Sequence, residues 1–288
     1  MTLLIWTIGD VKITRIPEVT ARLVLAEFFP EATPEAVALH RSWLEPHFLD
    51  AEGGILLSIH GLVVDTGELR ILVDTCLGPH AIPGFEDLRA GAQDFPGALA
   101  AAGYPREAID IVMCTHLHFD HVGWNVMREG DRLVPAFPNA RYLFARAEWE
   151  HWSAAMGAET YAPTIDAAVR PLVDAGLADL VEPDHKLCDS VRLVPTAGHT
   201  PGHVSVEISS QGERAFITGD MTHHPVQWAE PDWKMNADTD SAAAAATRRR
   251  IANALAGEPV LVIGTHYAPP CAGHLVRGPR GVWFRARH

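Results

Sequence analysis

The sequence predicts an α/β fold of the αββα type, in which two mixed β-sheets pack face to face and helices lie on the outer faces. Two observations support this class. Apolar strands alternate with helical stretches in both halves of the 288-residue chain, joined by hairpins and by longer crossovers. Seven histidines and aspartates of metal-binding type lie at strand ends or in glycine-containing turns. We therefore expect a single domain over residues 1–288 with its chemistry at the strand ends.

The first half contains three predicted strands before its most distinctive motif. They cover 55–60, 61–65 and 69–74, and Thr66-Gly67-Glu68 is the hairpin turn between the last two. A short helix over 94–103 follows, with an aspartate as its N-cap and a glycine at its end. This helix leads into an apolar run that we interpret as the next strand.

The second half repeats this layout. A hairpin turn at 210–213 joins two of its strands, and a helix over 239–255 precedes the last strand. The predicted strands are 191–195, 204–208, 214–218 and 259–263. The repeated succession of strands and helices is what indicates a second sheet.

Two stretches exceed what the sheets require. Residues 1–50 are interpreted as an N-terminal arm that packs either on a second subunit, in a homodimer, or on the rim of the site. Residues 125–190 are irregular and rich in aromatic side chains, among them Trp149 and Trp152. We expect this second stretch to form a helical insertion over the site.

Composition disfavours several classes of protein. The formal net charge of −13 opposes binding to nucleic acid or to an anionic membrane surface. No apolar run approaches the roughly 20 residues that span a bilayer. The only tight basic run, Arg248-Arg249-Arg250, follows an alanine-rich stretch and is interpreted as the solvated face of a helix. Four cysteines without CxxC spacing and an N-terminus without a basic leader predict a cytoplasmic protein with reduced thiols.

The most informative motif is a cluster of ligand-type residues directly after the apolar run 109–114. The segment Thr115-His116-Leu117-His118-Phe119-Asp120-His121 places four potential metal ligands within six residues at a strand end. Imidazole and carboxylate groups suit borderline divalent ions such as zinc. Three more residues of these types follow in strand-end or glycine-containing segments: His199, Asp220 and His266. Together they predict a two-metal hydrolytic centre.

These motifs resemble the metallo-β-lactamase superfamily of binuclear metallohydrolases, and the resemblance runs from about residue 55 to residue 273. The segments 118–125, 219–225 and 265–274 are most similar to the branch that contains the N-acyl-homoserine lactonases and methyl parathion hydrolase. The resemblance implies the metallo-β-lactamase fold and two divalent ions, zinc or alternatively iron, manganese or cobalt. It implies one ion held by His116, His118 and His199, a second held by Asp120, His121 and His266, and Asp220 as the bridge.

The activity that the resemblance implies is the opening of a lactone, or the cleavage of a related carboxylic ester, by a hydroxide that bridges the metals. The substrate is then a small molecule. Asp120 is expected to orient the hydroxide and to pass a proton to the leaving group. At position 223 the quorum-quenching lactonases carry a tyrosine that donates to the substrate carbonyl. Either His223 takes over this donor role here, or the preferred substrate differs.

Several alternatives remain open from the sequence. The same centre could hydrolyse a phosphotriester, and the chain could be a metal-dependent ligand-binding protein without turnover. Asp220 argues against a dedicated β-lactamase, because β-lactamases with this histidine motif lack the bridging aspartate. Asp74 is either a structural cap or a residue that orients a metal-bound histidine. His203 is expected either to be structural or to hold a metal ligand in place through a hydrogen bond.

Overall fold

The computed structural model describes residues 3–24, 28–79, 86–154, 162–279 and 281–287. The chain divides into two compact units. The first comprises Met1–Val19 and Ile59–His185, and the second comprises Thr20–Ser58 and Lys186–His288. Within the described ranges no helix is both long enough and apolar enough to cross a bilayer.

The secondary structure alternates between strands and short helices, as the sequence predicts. The strands are β1 (Ile5–Ile8), β2 (Val11–Val24), β3 (Gly54–Asp65), β4 (Arg70–Val73), β5 (Ile111–Met113), β6 (Val126–Glu129), β7 (Arg132–Pro135), β8 (Arg141–Ala145), β9 (Ala178–Val181), β10 (Lys186–Cys188), β11 (Val191–Pro195), β12 (Val204–Ser210), β13 (Glu213–Ile217), β14 (Val260–Ile263), β15 (Ala272–Gly278) and β16 (Gly281–Ala286). The α-helices of the described residues are α1 (Pro34–Ala38), α2 (Arg41–Leu44), α3 (Glu86–Ala90), α4 (Phe95–Ala101), α5 (Phe119–Val122), α6 (Arg146–Ala154), α7 (Ala162–Ala168), α8 (Arg170–Asp174) and α9 (Ser241–Leu255).

The first seven-stranded sheet has the strand order β1-β2-β3-β4-β5-β8-β9. The pairs β1–β2 and β3–β4 are antiparallel, whereas β4, β5, β8 and β9 run parallel to one another. Val73 pairs with Met113 at the carboxyl ends of β4 and β5, and the amide of Asp74 donates to the carbonyl of Met113 at 3.0 Å. The loops that follow β4 and β5 therefore leave the sheet at the same edge.

Two predictions for this region differ from the structure. Residues 55–60 and 61–65 were expected as separate strands, but they form the single strand β3, because the backbone runs through Gly61 without turning. The stretch 125–190 contains helices α6, α7 and α8, and it also contains the hairpin β6–β7 and strands β8 and β9 of the large sheet. Residues 155–161 of this stretch lie outside the described residues.

The second seven-stranded sheet runs in sequence order from β10 to β16. All of its neighbours are antiparallel except β13 and β14, which are parallel and are linked by helix α9. Gln211 and Gly212 both have positive φ (51° and 81°) in the hairpin between β12 and β13, which is the backbone that a two-residue type I′ turn requires. Helix α9 begins after Asp240, whose side chain accepts from the amide of Ala243 at 2.9 Å. The predicted strands and the helix of this half are thus present.

The predicted N-terminal arm contains regular structure. Strands β1 and β2 are members of the first sheet, and Ile13 and Ile16 on β2 are fully buried. Residues 28–58 form helices α1 and α2 and the start of β3, with Phe29 and Phe48 fully buried. Residues 25–27 lie outside the described residues.

Candidate metal centre

The first group of predicted ligands lies on one short segment, residues 114–122, which we call the ligand loop. It leaves β5, and His118 is the residue that precedes helix α5, on which Asp120 and His121 lie. The ring centroid of His116 is 4.6 Å from that of His118 and 4.1 Å from that of His121. The three histidines are buried, and Asp120 is partly exposed. The loop thus gathers three imidazoles and one carboxylate in one place.

Asp74 supports the ligand loop from the end of β4. Its carboxylate accepts hydrogen bonds from the amide and the hydroxyl of Thr115, at 2.7 and 2.9 Å, and from Nδ1 of His121, at 2.9 Å. Because the Thr115 proton points at Asp74, the Thr115 oxygen accepts from Nδ1 of His116 at 3.2 Å. His116 and His121 therefore carry their protons on Nδ1 and present the lone pairs of Nε2. Asp74 thus orients a histidine of the predicted site, one of the two roles that the sequence left open.

A buried glutamate fixes the middle of the ligand loop. Oε2 of Glu148, on helix α6, accepts from the amide of Leu117 at 3.2 Å and from Nε1 of Trp152 at 2.9 Å. The ring of Trp152 lies 5.4 Å from that of His118. Glu148 is completely buried, and it was not singled out in the sequence because a glutamate in a helix is usually exposed.

The second group of predicted ligands surrounds one carboxylate oxygen, and we call it the Asp220 cluster. Oδ2 of Asp220 lies 3.0 Å from Nε2 of His266, 3.2 Å from Nε2 of His223 and 3.7 Å from Nε2 of His199. His199, Asp220 and His223 each offer one ligand atom within 4.8 Å of the others. His223, which the sequence predicts to be catalytic, therefore stands directly among predicted metal ligands.

The histidines of the Asp220 cluster show the same arrangement as those of the ligand loop. Nδ1 of His266 donates to the carbonyl of Ser58 at 3.2 Å, and Nδ1 of His199 donates to Oδ1 of Asp238 at 2.9 Å. In a neutral imidazole, Nε2 then carries the lone pair. Two acceptors held at 3.0 Å, such as Nε2 of His266 and Oδ2 of Asp220, repel each other unless a proton or a cation lies between them. This donor set fits a divalent cation.

His203 supports Asp220 through the backbone. The amide of Asp220 donates to Nε2 of His203 at 2.8 Å, and Nδ1 of His203 contacts the hydroxyl of Thr196 at 2.9 Å. The side chain of Asp220 is fixed in addition by the hydroxyl of Thr265, which donates to Oδ1 at 3.1 Å. His203 thus has the supporting position that the sequence predicts.

Burial and neighbouring polar groups together determine the charge states of His223 and Asp238. It lowers the pKa of His223 to about 4, although the neighbouring carboxylate of Asp220 raises it. Burial alone would raise the pKa of Asp238, but the hydrogen bond from His199 and the charge of Arg248 outweigh it and hold that pKa well below its ordinary value. At neutral pH, His223 is therefore uncharged and Asp238 is ionised.

The interpretation of the basic run was wrong for its first residue. Arg248 is completely buried, whereas Arg249 is about half exposed. The face of helix α9 that points inward carries Ala244, Ala245, Arg248, Ile251, Ala252 and Leu255. The spacing of these apolar residues was visible in the sequence and includes position 248. Asp238 carries no such signal, because only the fold brings it to His199.

The family follows from comparison of the sequence with known proteins. Residues 54–266 match the family model of the metallo-beta-lactamase superfamily. The chain therefore belongs to the metallo-β-lactamase superfamily. It is 30% identical to an N-acyl homoserine lactonase of Bacillus cereus over 161 residues, which is 52% of this chain and 57% of the lactonase. The match thus spans little more than half the length of that relative, and it confirms the resemblance to the lactonase branch.

Solved structures share the whole fold. The hydrolase AbOPH, of the beta lactamase superfamily, has a TM-score of 0.82 and 25% identity, and the match covers 99% of this chain and 97% of that one. AidC, a dizinc quorum-quenching lactonase solved with a product, has a TM-score of 0.77 and 23% identity, with 99% and 98% covered. These likenesses confirm the predicted fold class and the metallo-β-lactamase fold.

Proposed function

We propose that this protein is a metal-dependent hydrolase that opens a lactone or cleaves a related carboxylic ester. One observation carries the proposal. Four of the predicted ligand histidines direct Nδ1 at a fixed partner, so that each presents Nε2 as a ligand: His116, His121, His199 and His266. Histidines that only fill a core have no need of a common tautomer, whereas metal-binding histidines do.

The ligand assignment follows the resemblance to the superfamily. We propose two divalent ions, with zinc as the first choice because imidazole and carboxylate ligands suit it. One ion is assigned to His116, His118 and His199, the other to Asp120, His121 and His266, with Asp220 shared between them. When bound, such ions lower the pKa of coordinated water and polarise an ester carbonyl.

Two side chains are proposed to act on the substrate. Asp120 is the partly exposed member of the ligand loop, so one of its oxygens can take up a proton and pass it to the leaving alkoxide. His223 is neutral at pH 7 because burial lowers its pKa to about 4, and it can donate one N–H to the substrate carbonyl. The ring of Phe28 packs edge-on against His223, with 5.7 Å between centroids, and limits its rotation.

A lactone or carboxylic ester is preferred over a phosphotriester because of the lactonase relatives. The 30% identity to the Bacillus cereus lactonase over 161 residues supports the same bond type here. Phosphotriester hydrolysis and metal-dependent binding without turnover are the two alternatives that the experiment must separate. Quorum quenching would follow if acyl-homoserine lactones were among the substrates.

The decisive experiment combines metal content with rates on a panel of three substrates: one lactone, one aryl ester and one phosphotriester. The wild type is expected to bind about two ions per chain and to hydrolyse the lactone or the ester fastest. Asp220→Ala should lose at least about a hundredfold in rate and part of the metal. Asp232→Ala, a change at an exposed aspartate outside both groups of ligands, is the matched control.

The outcomes distinguish the alternatives. If the phosphotriester is hydrolysed fastest, the proposed substrate class is wrong, but the proposed metal site stands. Two bound ions without turnover of any substrate would favour the binding protein. Less than one ion after reconstitution, or rates indifferent to Asp220→Ala, would refute the metallohydrolase.

His223 requires a separate variant because it lies among the ligands. If it contacts the substrate, His223→Phe should lower kcat/KM by about 10²-fold with unchanged metal content. A loss of one ion in His223→Phe would instead make His223 a ligand. An unchanged kcat/KM would remove it from the proposed mechanism.

A further inference from the structure

Helix α9 carries a completely buried arginine that binds four separate residues. Nε of Arg248 donates to the carbonyl of Met221 at 2.8 Å, and Nη1 donates to the carbonyls of Pro231 and Trp233, both at 3.1 Å. Nη2 donates to Oδ2 of Asp238 at 2.8 Å. A buried guanidinium needs this many partners, because its desolvation is costly unless its donors are satisfied.

Asp238 is held on both carboxylate oxygens. Oδ2 accepts from Arg248 and from the amide of Met235, the latter at 3.2 Å, and Oδ1 accepts from Nδ1 of His199 at 2.9 Å. The amide of Thr239 also donates to the carbonyl of His199 at 2.9 Å. The carboxylate therefore cannot rotate without breaking several hydrogen bonds, and it fixes the orientation of the His199 ring.

The same arginine reaches the neighbour of a second ligand. Met221, whose carbonyl accepts from Arg248, directly follows Asp220 in the chain. One guanidinium thus holds the backbone beside Asp220 and the carboxylate behind His199. Between these two points lie residues 222–237, which contain a short 3₁₀ turn but no α-helix or strand.

We propose that Arg248 and Asp238 are a pair of positioning residues that set the affinity of the protein for the metal ion bound by His199 and Asp220. This inference rests on the proposed metal-binding function. A carboxylate behind a ligand histidine fixes its tautomer and raises its basicity, and the loss of such a partner lowers metal affinity by about 10- to 100-fold. Arg248 acts one step further back, because it keeps the carboxylate of Asp238 in place.

The other two arginines of the run offer a matched comparison. Arg249 pairs with the exposed Asp232, and Arg250 donates to the carbonyl of Pro195. These contacts attach the same helix to its surroundings without touching Asp238 or Met221. Arg249→Met therefore removes an arginine from helix α9 and leaves the pair of positioning residues intact.

Two variants test the proposal on the whole 288-residue chain. In Arg248→Met/Asp238→Leu both charges are removed together, so that neither is left buried without a partner. In Asp238→Asn the size of the side chain and an acceptor for His199 remain, but the negative charge is lost. The second variant carries the test if the first does not fold, as judged by thermal unfolding and circular dichroism.

The first readout is zinc affinity, measured by competition with a chromophoric chelator at constant pH. Both variants should bind one ion about 10- to 100-fold more weakly than wild type, and the other ion nearly as before. Arg249→Met should match wild type for both ions. A folded variant that binds both ions like wild type would overturn the proposal.

The second readout needs no metal. Long-range ¹⁵N–¹H correlation spectra of the metal-free protein report which ring nitrogen of His199 carries the proton. Wild type, Asp238→Asn and Arg249→Met should show the proton on Nδ1, and the double variant should shift it toward Nε2. An unchanged tautomer in the double variant would contradict the role of Asp238. If wild type binds no zinc, the proposed function fails, while the tautomer still reports on the pair.

Discussion

Acid destabilisation of the protein should depend strongly on one histidine outside the predicted ligand set. His224 is completely buried, its Nε2 donates to the carbonyl of Phe48 at 2.9 Å, and its Nδ1 accepts from the amide of Val226 at 3.3 Å. Both ring nitrogens are therefore used in the neutral form, and no site is left for a second proton. Burial lowers the pKa of His224 to about 4, although the hydrogen bond to Phe48 raises it.

The direction of the effect follows from the two pKa values. In the unfolded chain a histidine has a pKa of about 6.5. Between pH 6.5 and pH 4 the unfolded chain binds a proton that folded His224 does not, so the free energy of unfolding falls as the pH falls. The full difference of about 2.5 pKa units corresponds to about 3.4 kcal/mol, of which about 2 kcal/mol is lost between pH 7 and pH 5.

Urea unfolding at pH 7 and pH 5 measures this contribution when wild type is compared with His224→Gln. The glutamine amide can still donate to Phe48, but it does not titrate. Wild type should lose about 2 kcal/mol more than the variant between the two pH values. Metal release at low pH affects both proteins and cancels in the difference. Losses equal to within about 0.5 kcal/mol would refute the assignment of His224 as a buried neutral histidine.

Two further predictions concern residues that adjoin or contact the ligand loop. A Cβ at Gly123 would lie 1.9 Å from the carbonyl oxygen of Leu77, although its φ of −60° suits any residue, so Gly123→Ala should lower the free energy of unfolding by about 2–3 kcal/mol. Gly91→Ala, whose Cβ would meet no atom closer than 3.7 Å, should stay within about 0.5 kcal/mol in the same urea titration. Asp74→Asn should weaken zinc binding by about tenfold or more, because His121 loses its carboxylate partner. Chelator competition measures this, and an unchanged affinity would contradict the role of Asp74.

Local patterns were sufficient for much of the fold. Strand β11 occupies the predicted residues 191–195, Asp94 caps helix α4 as predicted, and helix α9 begins within two residues of its predicted start. These features depend on neighbours within a few residues, so the sequence displays them directly. The position of the ligand loop was predictable for the same reason, since its four proposed ligands follow one another at the end of β5.

The distant partners of buried charged residues were not predictable. Arg248 was expected at the surface, yet its donors are satisfied by residues 10 to 27 positions away, which only the fold brings together. Glu148 reaches the amide of Leu117 across 31 positions. In the sequence, a charged residue that is buried in the fold cannot be distinguished from an exposed one, because the partners that stabilise it are distant in the chain.

The sequence by itself determined which groups can bind metal and how closely they follow one another, because residue type and spacing are local properties. The tertiary structure decided how the imidazole of each proposed ligand is oriented and protonated. Asp74, Asp238 and the carbonyl of Ser58 each lie 39 or more positions from the histidine that they contact. The tautomer of a histidine depends on the partner of its other nitrogen, and that partner is chosen by the packing of the chain.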